Sequence, residues 1–464
     1  MTTRTKHFFL WLSLLTVVGL AVRIFYAYHY KWGQAIGGDA FYYHYQANGL
    51  IHGDGFQWYR DLHNGHVIPR GASADHPPLA PLYYAAFSLV GLSSFHWHMI
   101  ASCLLGAGTV FVCGLVGREV VGERTGLIAA AIAAVYANLW VQDPLVTSET
   151  ITFFMVAIVI LLSYRFWRKP SVPRALWLGA MCGVAMLTRA EVALFLPIVL
   201  LPLVWRVKTW DVRRRLGVIL AGCALAALVI SPWVIRNMTA FRYPLYLSGG
   251  AEITIASASC DTTYYGPLLG WWNPKCVLDR PVPKGDASEQ AREWRRRAFA
   301  YIRAHEDRLP AVELARLGRV FELYHPGAPW GTPNINQKIL YDRVEGRAPG
   351  AAQIALAQYY LLAPLAILGA VLLWRRKVTL LPFLATFVIV VCAVLIAFGN
   401  TRYRAPLEIT LVVLPAVVID AAITRWWRKP PVPEAEPDPS PDATHDDTDV
   451  AAPLEPAGTP AGPH

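Results

Sequence analysis

The chain has 464 residues, 55% hydrophobic and 16% charged, with a formal net charge of +10. A soluble domain carries roughly 25% charged residues, so this balance and the repeated long apolar runs exclude an ordinary soluble enzyme and indicate a multipass membrane protein. The segment 431–464 has no Lys or Arg and eight acidic residues, leaving 42 basic against 24 acidic groups in the first 430. Such an excess suits nucleic-acid binding in a soluble chain. Here it falls in short clusters between apolar runs, so we read it as topology and expect no nucleic-acid partner.

In chain order, the opening "MTTRTKHFFLWLSLLTVVGLAVRIFYAYHY" has a basic start but no small-residue cleavage site, and its aromatic end suits an interface belt. It reads as a retained first helix. Ten spans are expected near 8–28, 99–117, 125–142, 150–166, 175–189, 192–206, 217–235, 354–374, 380–398 and 407–424. With the amino terminus inside, "REVVGER" (118–124), "RFWRKPSVPR" (165–174), "WRVKTWDVRRR" (205–215), "WRRK" (374–377) and "RWWRK" (425–429) all face the cytoplasm, as the positive-inside rule requires. An extra crossing at "PLAPLYYAAFSLVGL" (78–92) would break that agreement, so it is expected to be an interfacial or partly embedded helix.

The organisation that follows is an all-α membrane protein with an amino-terminal transmembrane module (1–235), an extracytoplasmic cap loop (236–353), carboxy-terminal transmembrane helices (354–430) and a disordered acidic cytoplasmic tail (431–464). The cap is too long for a plain connection. Its stretch 286–324 has helical periodicity, with Pro310 expected to divide it into two pieces. Cys260 and Cys276 lie in this external loop with fifteen residues between them and are expected to pair. Cys103, Cys113, Cys182, Cys223 and Cys392 fall in spans and read as small apolar packers.

Asp39, His44, Asp75, His76, Glu149, Arg189, Glu191, Arg236, Arg402 and Arg404 all fall at or beside the external ends of spans. Ionisable groups near a bilayer are costly unless paired or wet, which makes a shared functional site the reading for the set. Carboxylates supply a general base, and guanidinium groups grip a phosphate in two-point geometry. No phosphate-binding loop for a nucleotide is present, so a phosphate anchored to a lipid of the same membrane is the natural activated group.

The motifs "GGDAFYYH" (37–44), "HPPLAPLYYA" (76–85), "TSET" (147–150), "LTRAE" (187–191), "SPWVIRN" (231–237) and "GNTRYRAP" (399–406) together resemble those of multipass type C glycosyltransferases. The nearest branch groups protein O-mannosyltransferases with the aminoarabinose transferase of lipid A. The resemblance covers roughly residues 10–425, most strongly 10–240. It implies a sugar donor on a polyprenyl phosphate, used with inversion on the external face of the bacterial inner (plasma) membrane, and a glycan, lipid or protein acceptor. It places the base at Asp39, with Glu149 or Asp75 as supporting charge. His44, Asp75, His76, Arg189, Glu191, Arg236, Arg402 and Arg404 become candidate substrate-binding residues, Arg189 and Arg402 foremost for the phosphate. In the first external loop Ala40 and Phe41 stand where the family often has a second acid. No His or Cys cluster has metal-ligand spacing, so no cofactor or metal site is assigned and a divalent-metal requirement stays open. A transporter or lipid flippase is the rival reading; it would carry charge pairs within spans and internal repeats. Sugar, acceptor and oligomeric state are not legible.

Overall fold

The computed structural model describes residues 3–34, 36–63, 66–325 and 348–427. The expected acidic tail lies outside them, and the last residues of the expected cap do so in part. The described chain is predominantly helical. Six of its helices are long and apolar enough to cross a membrane, or seven if one bent pair counts as a span.

Helix α1 (Thr3–Tyr26) runs into a π-helical turn at Ala27–Lys31. After a short break come α2 (Gly38–Ile51), a two-stranded antiparallel hairpin of β1 (Gln57–His63) and β2 (His66–Ala72), and α3 (Leu79–Leu89). The hairpin adds a small sheet to the all-helical expectation. At 11 residues α3 reaches about 16 Å, half a bilayer core, in keeping with an interfacial helix. The spans α4 (Phe95–Val120), α7 (Ser148–Arg168) and α10 (Val212–Ala240) match three expected runs with longer ends.

The expected third span is broken. α5 (Glu123–Val135) and α6 (Ala137–Trp140) meet at extended Tyr136, and the pair bends by 53°. The expected fifth and sixth spans are also short or interrupted. α8 (Val172–Met186) has 15 residues, and Ala190–Trp205 passes from 3-10 to π to the short α9 (Leu201–Trp205). Hydropathy registers apolar length but not such breaks.

Small residues let the helices approach closely. A Cβ on Gly117 would stand 2.9 Å from the Gly126 backbone, joining α4 to α5, and one on Gly179 would stand 2.4 Å from the Gly222 carbonyl oxygen, joining α8 to α10. With Gly183 against Ala226 this is the small-xxx-small packing of membrane helices, where dispersion rather than water exclusion drives association.

Beyond α10 the cap carries α11 (Gly250–Ser257), α12 (Asp261–Tyr264), α13 (Lys275–Leu278), α14 (Ala287–Ala304) and α15 (Leu309–Val320). α14 opens on a reciprocal capping box: Asp286 accepts from the Ser288 and Glu289 amides, and Glu289 accepts from the Asp286 amide. Pro310 sits in the first turn of α15, where no intrahelical donor is lost. The break itself is the 3-10 turn before it. Cys260 and Cys276 form the expected disulfide, leaving five free cysteines. Denatured, unreduced protein is therefore expected to label at five thiols rather than seven, by mass spectrometry. α16 (Pro349–Arg375), α17 (Leu381–Ile396) and α18 (Ala405–Trp427) complete the described chain.

Sequence reading passed over one pair. Arg23 of α1 and Asp143, just beyond the α6 break, are both fully buried and meet at 2.5 Å. Arg23 also donates to the Gly19 carbonyl, and Thr150 donates to the second Asp143 oxygen. The charges are satisfied within the protein, as an apolar surround demands. Arg23→Met leaves Asp143 unpaired and is expected to destabilise the detergent-solubilised protein by about 3–5 kcal/mol. The double change Arg23→Met/Asp143→Leu should restore most of the thermal midpoint.

Candidate active site

Four helix ends carry the charged groups that converge. Asp39 lies in the first turn of α2. Its preceding Gly38 adopts a φ of +56°, which a glycine tolerates at no steric cost. The N-cap of α2 is Gly37, with no side-chain cap bond, so the Asp39 carboxylate is not spent on capping. Glu149 lies in the first turn of α7, beyond a 3-10 turn at Asp143–Leu145 and Val146, which holds a left-handed φ of 55°. A β-branched residue in that region is strained, and such strain persists only where the surroundings enforce it. Arg189 leaves the carboxyl end of α8. Arg402 lies in the 3-10 turn that opens α18, where Asn400 accepts from the Arg402 amide at 2.8 Å.

Arg402 joins these ends. Its Nη2 donates to Asp39 Oδ2 at 2.5 Å and its Nε to Glu149 Oε1 at 2.8 Å, across 363 and 253 residues of sequence. Arg189 donates to Glu191 at 2.5 Å and to the same Glu149 oxygen at 3.3 Å, and its guanidinium lies 5.1 Å from the Tyr403 ring centre. Glu149 is 1% exposed, whereas Asp39 remains 32% exposed. Glu149 Oε2 is buried without a hydrogen-bond partner among the described residues.

His76 stands on the other side of Asp39. Its Nε2 is 3.9 Å from Asp39 Oδ1 and 3.3 Å from Asp75 Oδ2, and its ring packs against Tyr42 and Tyr43, each 5.1 Å away. Burial alone would raise the Asp39 pKa, but Arg402, His76 and Arg189 outweigh it and hold the carboxyl at about 2. Burial pushes Asp75 up, against the opposing pull of His76. Burial opposes the charge of Arg189, yet Glu191 and Glu149 raise its pKa further.

The structure therefore brings together Asp39, Asp75, His76, Glu149, Arg189, Glu191 and Arg402. Three candidates lie elsewhere. His44 is buried and shares a 3.0 Å contact with His98, which in turn meets Ser88 at 2.9 Å; burial lowers its pKa to about 4. Arg236 donates to the Ser73 and Phe56 carbonyls and to Asn237, beside the rings of Phe56, Trp233 and Phe241, and so ties the base of the hairpin to α10. Arg404 is buried, pairs with Glu408 at 2.7 Å, donates to the Val320 carbonyl and lies 3.9 Å from the Tyr359 ring. Each guanidinium is engaged by partners of its own away from the cluster. Proximity in sequence to a span end could not distinguish these from Arg402.

The turn bearing Arg402 is also fixed from the cap. Gly399 donates to the Gly270 carbonyl at 2.8 Å, and a Cβ at Gly399 would stand 2.4 Å from the Arg316 carbonyl oxygen. Sequence reading missed Asn400, Tyr42 and Tyr43 as supports of the site. An Asn opening a helical turn is a capping signal, but nothing local marks the two tyrosines. Among the described residues no group of three or more His, Cys, Asp or Glu is arranged to hold a metal ion.

Residues 75–235 match the family model described as dolichyl-phosphate-mannose-protein mannosyltransferase. No curated protein sequence matches the chain. Among solved structures, the fold resembles the oligosaccharyltransferase AglB of Archaeoglobus fulgidus in complex with an inhibitory peptide and a dolichol-phosphate, at 12% identity and a TM-score of 0.52, over 92% of this chain and 51% of that one. The same enzyme tethered to an acceptor peptide gives 13% identity and 0.52, over 90% and 50%. ArnT of Cupriavidus metallidurans bound to undecaprenyl phosphate gives 16% identity and 0.40, over 90% and 79%. The chain spans about half the length of the oligosaccharyltransferase. The matched segment begins at Asp75 and His76 and includes Glu149 and Arg189, and the helical fold is shared with AglB, so this multipass membrane protein is similar in that segment to the mannosyltransferase family and in fold to the oligosaccharyltransferase.

Proposed function

We propose that the protein moves a sugar from a polyprenyl-phosphate donor to a hydroxyl or amine of an envelope glycan, lipid or secreted protein, on the extracytoplasmic face of a bacterial inner membrane. The observation that carries this reading is Arg402 bridging Asp39 and Glu149, which sets a partly exposed carboxylate beside two arginines where several helix ends meet.

Asp39 turns Oδ2 to Arg402 and Oδ1 toward His76, so Oδ1 is the oxygen that accepts the acceptor's proton. The acceptor atom attacks the anomeric carbon as the sugar–phosphate bond breaks, and that bond's electron pair leaves on the phosphate. Arg402 and Arg189 stabilise the charge arriving there. A single displacement inverts the anomeric centre. In the resting site both arginines are engaged by carboxylates, so the donor phosphate competes with Asp39 for Arg402. That competition weakens the interaction that depresses the Asp39 pKa, making the carboxylate more basic when the donor is in place. The unpartnered Glu149 Oε2 is suited to accept from a sugar hydroxyl; such a buried acceptor costs about 1–3 kcal/mol when unmet.

The flippase reading gains little from Arg23 and Asp143, because that pair is closed by Gly19 and Thr150 rather than open to a pathway. Sealed vesicles of either orientation, given labelled donor and a membrane-impermeant acceptor, test the proposal. Transfer is expected only when the acceptor lies on the side of the Cys260–Cys276 loop. Donor crossing the bilayer intact, with no transfer in either orientation, would support the flippase instead.

A further inference from the structure

We infer that His76 is a proton-relay residue, taking from Asp39 the proton that the acceptor loses, with Asp75 as the counter-charge of the imidazolium so formed. The inference rests on the proposed transfer and extends it to the proton's destination. Asp39 Oδ2 is committed to Arg402, and the opposite oxygen is the one facing His76 Nε2. The same nitrogen lies 3.3 Å from Asp75 Oδ2, so a proton placed on it sits between two carboxylates.

The ring is held for this role. Tyr42 and Tyr43 of α2 pack on it, and both phenols are pushed far above their ordinary range by burial, so they stay neutral. The Asp75 backbone is pinned by Ser248 and by the Gly250 amide. The charged or titratable groups facing His76 are thus Asp39, Tyr42, Tyr43 and Asp75, with Arg402 behind Asp39 and Arg236 at the neighbouring Ser73 carbonyl.

The balance is complete within the site. The acceptor O–H or N–H proton moves to Asp39 Oδ1 as the bond to the anomeric carbon forms. It then passes to His76 Nε2, which must begin unprotonated at that atom, and Asp39 returns to its carboxylate. A 3.9 Å gap is longer than a hydrogen bond, so transfer needs a small approach or one bridging water. Asp39 Oδ2 is paired with the Arg402 guanidinium, which favours the carboxylate form and makes Asp39 a poor final resting place for a proton.

The test is single-turnover transfer at saturating donor from roughly pH 5 to 8, with donor affinity measured in parallel. The parent rate is expected to fall as pH drops, because a proton already on Nε2 blocks the relay. His76→Gln should bind donor within a few-fold, react about 100-fold more slowly and lose that acidic limb. His76→Ala should be partly rescued by added imidazole, which a purely structural ring would not give. A His76→Gln variant that keeps the parent's acidic limb, or a His76→Ala variant deaf to imidazole, overturns the relay while leaving the transfer reading intact. Absence of transfer in the parent at every pH overturns both.

Discussion

Asp39→Asn is expected to fold, insert and bind donor, yet to lose about 100-fold or more in single-turnover transfer. The amide keeps the size and a hydrogen-bonding oxygen but cannot take a proton. A helix-capping role predicts something milder: Asn caps as well as Asp, and the cap of α2 is Gly37 in any case. The pairing with Arg402 adds a second expectation. Removing the carboxylate charge relieves the competition for that guanidinium, so donor affinity should hold or improve. Turnover and affinity moving in opposite directions identifies a base that shares its partner with the substrate. A rate within a few-fold of the parent would remove Asp39 from proton transfer and leave its carboxylate a structural partner of Arg402.

Arg402→Lys is expected to weaken donor binding and to lower turnover about 100-fold. Lysine keeps the charge but not the planar fork that reaches Asp39 and Glu149 from separate nitrogens. The turn around it should survive, because Asn400 holds the Arg402 backbone amide rather than its side chain. Unchanged donor affinity and turnover in folded Arg402→Lys would exclude two-point recognition by this residue. Arg402→Ala is a poorer probe: it leaves buried Glu149 only its longer contact with Arg189, and unpaired buried charge destabilises by itself.

Much of this site was legible because the cost of charge near lipid is severe. Asp39, Glu149, Arg189 and Arg402 stand out against apolar runs, and reading the basic clusters by the positive-inside rule assigns all four to one face. The same criterion selected His44, Arg236 and Arg404, whose partners are His98, the Ser73 and Phe56 carbonyls, and Glu408. Those contacts depend on helix packing that no local pattern encodes. Arg23 was missed for the converse reason. One arginine within a long apolar run does not end a hydropathy window, and its partner Asp143 lies 120 residues away. The break at Tyr136 was equally silent, since it contains no Pro or Gly and is secured at a distance by the Tyr136 hydroxyl donating to Glu408 at 2.6 Å. Among the described residues, the expected spans at Glu123–Leu145 and Ala190–Trp205 are bent or interrupted rather than single long helices.

The most direct measurement is release of free polyprenyl phosphate from a polyprenyl-phosphate sugar by the purified protein in lipid, with parent, Asp39→Asn and Arg402→Lys side by side. The account predicts that the parent releases one polyprenyl phosphate for each sugar transferred, that the product has the inverted anomeric configuration, and that both variants release it about 100-fold more slowly. Release by the variants at the parent's rate, or sugar transfer with retained configuration, would contradict it.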